Sequence, residues 1–222
     1  MIAESHLSLM NTYDDLQIGG VEVKTRVVDD AKLVPAALAE LGVGGDGGTH
    51  PIVGVDVKVS SNLFGRGRRC DLLVLCTGSN CLILQLDPMR RRDSALRSVA
   101  KLLGVNDVSF VCPNGFLKRT RGLSLFPNAG YPDCCDCSEI KAVEVGEYAA
   151  RALKNPKLLK CESFKKLGKK TGVDLTPTTS SNGKIVKRRP KWDAGVFSKE
   201  EVLAVMYDAV ASYRIVNKLL QV

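Results

Sequence analysis

The sequence predicts an α/β domain with a mixed central β-sheet flanked by helices. Three observations predict it. Short β-branched runs alternate in period two between glycine-, proline- and asparagine-containing breaks, the pattern of half-buried and buried strands. Two of these runs flank a tight Gly-containing turn, so part of the sheet is antiparallel, while a helical crossover after them favours a parallel neighbour. The chain then closes on an amphipathic helix that carries its own start signal. At 222 residues, with 45% hydrophobic and 25% charged side chains, it is long enough for one sizeable core and is not compositionally disordered.

Residues 1–16 show no period and read as a loose leader ahead of a single domain at 17–222. Residues 20–28 alternate Val21, Val23 and Val27 against charged neighbours, a half-buried strand. A short helix at 35–41 runs into the glycine-rich stretch 42–48. Residues 51–59 form a β-branched strand with Asp56 at its middle. Strands at 71–76 and 81–86 flank Thr77-Gly78-Ser79-Asn80 as a hairpin. A helix over 93–103 and a strand over 108–112 come next, then helical stretches at 138–153 and 161–171 and a polar loop at 176–183. Ser198 and Glu201 make an S-x-x-E capping box for the last helix, whose stripe is Val202, Met206, Ala209, Tyr213, Val216 and Leu220.

The net charge of +8 is unevenly placed. Residues 151–191 hold 13 basic side chains against Glu162 and Asp174, a net +11, which leaves −3 for the rest. Such a local excess points to a polyanion, nucleic acid first. Lys187-Arg188-Arg189-Pro190-Lys191 also has the composition of a nuclear localisation signal. No run of about 18 apolar residues is present, which excludes a spanning helix of that kind. Eight cysteines, with no apolar segment behind a basic start, read as reduced thiols of a protein of the nucleus or cytoplasm.

Asp56 lies in Ile52-Val53-Gly54-Val55-Asp56-Val57, where burial demands a protein cation or a metal as partner. Asp208 sits off the main stripe of the last helix, on a face with Ala204, Ala211 and Ile215 that suits the wall of a cleft. Together with the Cys-Thr-Gly-Ser-Asn-Cys turn, Val108-Ser109-Phe110-Val111, Trp192-Asp193 and Tyr207-Asp208-Ala209-Val210-Ala211-Ser212-Tyr213, these segments resemble the DEDD superfamily of 3′–5′ exonucleases. Within it, the chain is similar to plant proteins like the Werner-syndrome exonuclease domain. The resemblance covers about residues 20–220 and implies a ribonuclease H-like fold. It also implies two Mg²⁺ or Mn²⁺ ions held by four acids, a charge balance that hard divalent cations require.

Position by position, the chain departs from that pattern. The Asp-x-Glu motif reads Asp56-Val57-Lys58, Lys118 stands at or near the second acid, and Ala204 occupies the place of the last motif's tyrosine. Tyr207 is about 100° round the helix from Asp208 and cannot simply substitute. Lys58 projects to the same face as Asp56, so its ammonium can neutralise the carboxylate and repel a metal. Asp56, Asp208, Lys58 and Lys118 would sum to zero charge. The expectation is an ion-pair cluster with no metal or other cofactor and no cleavage, in a protein that binds single strands or 3′ ends or acts as a regulatory subunit.

Phosphate contacts are expected from Arg66, Arg68, Arg69, Lys118, Lys187, Arg188, Arg189 and Lys191, electrostatic and weakly sequence-specific. Arg90-Arg91-Arg92, and Lys118 with Arg119 and Arg121, add further basic clusters. Cys134 and Cys137 have CxxC spacing but lack a second pair, so with Cys135 they read as ordinary loop thiols, open to oxidation where exposed. His6 and His50 offer no catalytic pairing. Two alternatives stand beside the main one. The first is a Mg²⁺- or Mn²⁺-dependent exonuclease using Asp56 and Asp208 with further acids such as Asp133, Asp136 or Glu139. The second is a protein-interaction scaffold, for which the apolar helix stripes could equally serve a homo-oligomer.

Overall fold

A computed structural model describes residues 11–42, 51–61, 68–86, 99, 102–103, 108–121, 123, 140–178 and 197–221. Eight strands form one mixed sheet: β1 (Asn11–Ile18), β2 (Val21–Val28), β3 (Ile52–Ser61), β4 (Arg68–Thr77), β5 (Asn80–Gln85), β6 (Ser109–Cys112), β7 (Ala142–Glu144) and β8 (Pro177–Thr178). Their order across the sheet is β7-β6-β3-β4-β5-β2-β1-β8. The central β3-β4-β5 meander is antiparallel, β2 joins β5 in parallel, and β6 and β7 extend the other side in parallel. The helices are α1 (Val34–Glu40), α2 (Phe116–Thr120), α3 (Val145–Ala152), α4 (Phe164–Thr171) and α5 (Lys199–Leu220).

Two apolar clusters show that both faces of the sheet are covered. One gathers Val23, Val27, Leu72, Val74 and Ile83 against α3, α4 and α5. The other gathers Val53, Val55, Val57, Leu73, Leu75 and Leu84 with Val34 and Ala37 of α1. Alternation along each strand distributes side chains between the two layers. The capping box of α5 is present in both directions: Ser198 accepts from the Glu201 backbone N–H, and the Glu201 carboxylate accepts from that of Ser198. Thr77 pairs with Asn80 across a two-residue turn in which Gly78 has φ +64°, a left-handed value that glycine adopts without penalty.

Several sequence expectations need correction. Residues 11–16, expected in the leader, belong to strand β1 (Asn11–Ile18). Its pattern is hidden by a register shift between Tyr13 and Leu16, which breaks the alternation that would announce a strand. The helix expected at 138–153 begins only at Val145, after the three-residue strand β7 pairs with β6. The next helix starts at Phe164, where the Ser163 side chain caps it by accepting from the Lys166 N–H. Pro177 and Thr178, expected in a loop, pair with β1. Cys76 and Cys81, expected as reduced thiols, face each other across the hairpin and form a disulfide. Most of the helix expected at 93–103 and the glycine-rich stretch at 43–48 lie outside the described residues.

A buried ion-pair cluster as candidate functional site

The site grows from one strand and one helix. On β3, Gly54, Asp56 and Lys58 share a face by strand periodicity, opposite the apolar Val53, Val55 and Val57. Gly54 lets α5 lie against that face: a Cβ there would stand 2.1 Å from the Ala209 carbonyl oxygen and 3.1 Å from the Tyr213 Cβ. Asp208, the residue before Ala209, is thereby carried to the Asp56 side chain's neighbourhood. Ala211 and Ile215, on the Asp208 face of α5, are buried, and Ser212 Oγ donates to the Asp208 carbonyl at 2.8 Å.

Lys58 Nζ bridges the two acids, donating to Asp56 Oδ2 at 2.6 Å and to Asp208 Oδ2 at 3.0 Å. Arg119 Nη2 of α2 donates to the other Asp56 oxygen, Oδ1, at 3.3 Å. The Asp56 side chain has no exposure, Lys58 has 13% and Asp208 32%, so the cluster runs from the core to the edge of the surface. Burial pushes the Asp56 carboxyl above the usual carboxylate range, with Lys58 and Arg119 pulling it back. Burial also works against the Lys58 ammonium, but Asp56 and Asp208 outweigh it and hold its pKa above the ordinary lysine value. The two directions oppose each other across the pair. Contacts of 2.6 and 3.0 Å to one ammonium are those of charge-assisted hydrogen bonds.

Sequence reasoning placed Asp56, Lys58 and Asp208 together, and the structure brings them together. From α2 the expected member of the cluster was Lys118, which is exposed; it is the residue after it, Arg119, that reaches Asp56. Gly115, with φ +77°, is the N-cap of α2, separated from the end of β6 by Pro113 and Asn114. In the sequence Arg119 stood only as one of the basic cluster Lys118, Arg119 and Arg121, read as phosphate contacts rather than as partners of Asp56. Ala204 is half-buried one turn before Asp208. Tyr207 turns away to stack edge-on against Phe164 of α4, ring centroids 5.9 Å apart. Burial, followed by the Asp208 charge, raises its hydroxyl pKa.

Arg68 and Arg69 are described only as backbone, paired with Ser61 and Ser60. Arg66, Arg90, Arg91, Arg92, Asp133, Cys134, Cys135, Asp136, Cys137, Glu139, Lys187, Arg188, Arg189, Lys191, Trp192 and Asp193, and both histidines, lie outside the described residues. Among the described residues, no three His, Cys, Asp or Glu side chains stand together in a group that could hold a metal ion. No described helix is long and apolar enough to cross a membrane.

No protein-family profile and no curated protein matches the chain. Solved structures do. The chain is similar to the catalytic core of RRP6 from Trypanosoma brucei, with TM-score 0.58 and 14% identity over 100% of this chain and 52% of that one. It is similar to Escherichia coli RNase D, described as an exoribonuclease involved in structured RNA processing, with TM-score 0.57 and 13% identity over 88% of this chain and 44% of the other. The Aedes aegypti Nibbler EXO domain matches with TM-score 0.56 and 11% identity over 88% of each chain. The chain thus spans about half the length of the first two and nearly all of the third. An eight-stranded mixed sheet flanked by helices, matched over most of the chain, gives this protein the ribonuclease H-like fold of the exonuclease domains.

Proposed function

We propose that this protein binds nucleic acid on an exonuclease fold without cleaving it, as a degenerate relative of the Werner-type members of the DEDD superfamily. One observation carries the reading: the Lys58 ammonium lies within 3.0 Å of both Asp56 and Asp208. Two divalent cations need an excess of oxygen ligands and of negative charge. Asp56, Asp208, Lys58 and Arg119 sum to zero, and the ammonium occupies the gap between the carboxylates where an ion would take its ligands. This donor set does not fit a pair of Mg²⁺ or Mn²⁺ ions, so no hydrolytic step is derived from it.

Binding is supported by the charge of the chain, +8 overall and concentrated in residues 151–191. Contacts of that kind track the sugar-phosphate backbone and carry little sequence information. The fold likeness to domains that act on RNA is consistent with the partner class. The test is an exonuclease assay on a labelled single strand and on a recessed 3′ end, with Mg²⁺, with Mn²⁺ and with EDTA. The expected result is no cleavage in any condition, together with a mobility shift that salt abolishes. Cleavage that EDTA stops and that Asp56→Asn removes would overturn the reading.

A further inference from the structure

We infer that the lysine face of α4 is the phosphate-binding surface of this protein, contacting the backbone of a single-stranded nucleic acid; the inference rests on the nucleic-acid reading above. In α4, Lys165, Lys166, Lys169 and Lys170 are all exposed, while Leu167, Gly168 and Thr171 are buried. The four form two i,i+4 pairs of like charge, each destabilising to a helix of eight residues. Lys165 and Lys166 also sit in the first turn, where the helix dipole disfavours cations, and no acid stands there to offset them. Among the described residues none of the four takes part in an ion pair. A face selected for solubility alone would mix signs. Lys169 and Lys170 are favourably placed in the last turn. The like-charge spacing, the unmixed sign of the whole face and the first-turn positions of Lys165 and Lys166 nevertheless oppose stability, as at a surface kept for a ligand.

A second observation is independent of the helix. Lys154, after α3, is the only non-glycine residue with positive φ among those described, at +49°. A lysine in the left-handed region is strained where glycine or asparagine would not be. It is exposed and has the same sign as the α4 face. From Arg151 to Thr171 eight basic residues face a single acid, Glu162. Placement also links the surface to the cluster: Phe164 of α4 packs on Tyr207, and the next residue is Asp208. The apolar side of α4 is buried in the core, so the helix has no greasy face to lay into a lipid surface, and an anionic membrane is the weaker fit.

The experiment measures binding of a fluorescein-labelled 20-nucleotide oligo(U) RNA to the full chain by anisotropy, in EDTA, across a salt series. The proteins are the wild type, a quadruple Lys165/Lys166/Lys169/Lys170→Gln variant, the same four changed to Arg, and Lys154→Gly. The Gln variant should bind at least about tenfold more weakly at low salt, with the log–log salt slope reduced by about 3, near 0.7 per lost contact. The Arg variant should bind like the wild type, and Lys154→Gly should weaken binding without lowering Tm. Unchanged affinity and slope in the Gln variant, with the wild type binding well, would overturn the α4 assignment and leave the nucleic-acid reading intact. A wild type that does not bind at all would overturn both. Preferential, α4-dependent binding to phosphatidylserine vesicles would replace nucleic acid with a membrane and overturn the inference.

Discussion

Lys58 and the lysines of α4 are the same side chain put to opposite uses. Lys58 is nearly buried, held by two carboxylates at 2.6 and 3.0 Å, and its charge is cancelled inside the fold. Lys165, Lys166, Lys169 and Lys170 are exposed and face one another's like charge. The difference teaches that the basic excess of this chain has two parts. One is consumed internally between β3 and α5, and the other is presented outward. A buried ion pair adds little stability over an apolar pair of similar size, yet removing one partner strands a charge in the core. An exposed lysine strands nothing when it is removed.

The largest effect that separates the two regions is expected from Lys58→Met, which should destabilise the fold by about 3–5 kcal/mol in urea unfolding. Adding Asp56→Leu should regain most of that loss, because the uncompensated carboxylate goes with it. A double variant no more stable than Lys58→Met would mean that the cluster is not a coupled pair. Next is Gly54→Ala, whose Cβ would meet the Ala209 carbonyl at 2.1 Å. Forcing β3 and α5 apart should cost about 1–3 kcal/mol and expose the cluster to solvent.

The pH dependence sharpens the contrast further. Lys58 has a folded pKa above its ordinary 10.5, so its stabilisation is fully present below 10.5 and is lost as pH rises through the folded value. The wild type should therefore lose stability in the alkaline range faster than Lys58→Met does; parallel curves would remove the cluster as the cause. The smallest effect belongs to the other region. Lys166→Gln should change stability by no more than about 0.5 kcal/mol, and toward greater stability, since it relieves a like-charge pair with Lys170.

Much of the sheet was legible because period two survives wherever a strand has one covered face. Val21 to Val28 is of this kind, whereas the hairpin around Gly78, buried on both faces, was legible from two apolar runs flanking a glycine-containing turn. Strand β1 was not legible, since the shift between Tyr13 and Leu16 puts two residues, Asp14 and Asp15, where alternation would allow only one. Strands β7 and β8, at three and two residues, are created by their neighbours and have no periodicity to read. The cross-strand disulfide between Cys76 and Cys81 was missed because composition set the expectation for all eight cysteines at once, while facing positions in a hairpin decide each pair.

For the site, the sequence by itself determined three things. A carboxylate in an apolar strand must have a partner, a lysine two residues on shares its face, and Asp208 stands on a small-residue face of the last helix. Those follow from desolvation and from the periods of strand and helix, which are local. Tertiary structure alone decided the rest. Gly54 fixes how closely α5 approaches β3, and so whether Lys58 can reach both acids at once. The packing of α2 against the sheet decides that Arg119, rather than Lys118, reaches Asp56. One residue on a helix is 100° of direction, and only the packing of that helix against the sheet says which direction is in.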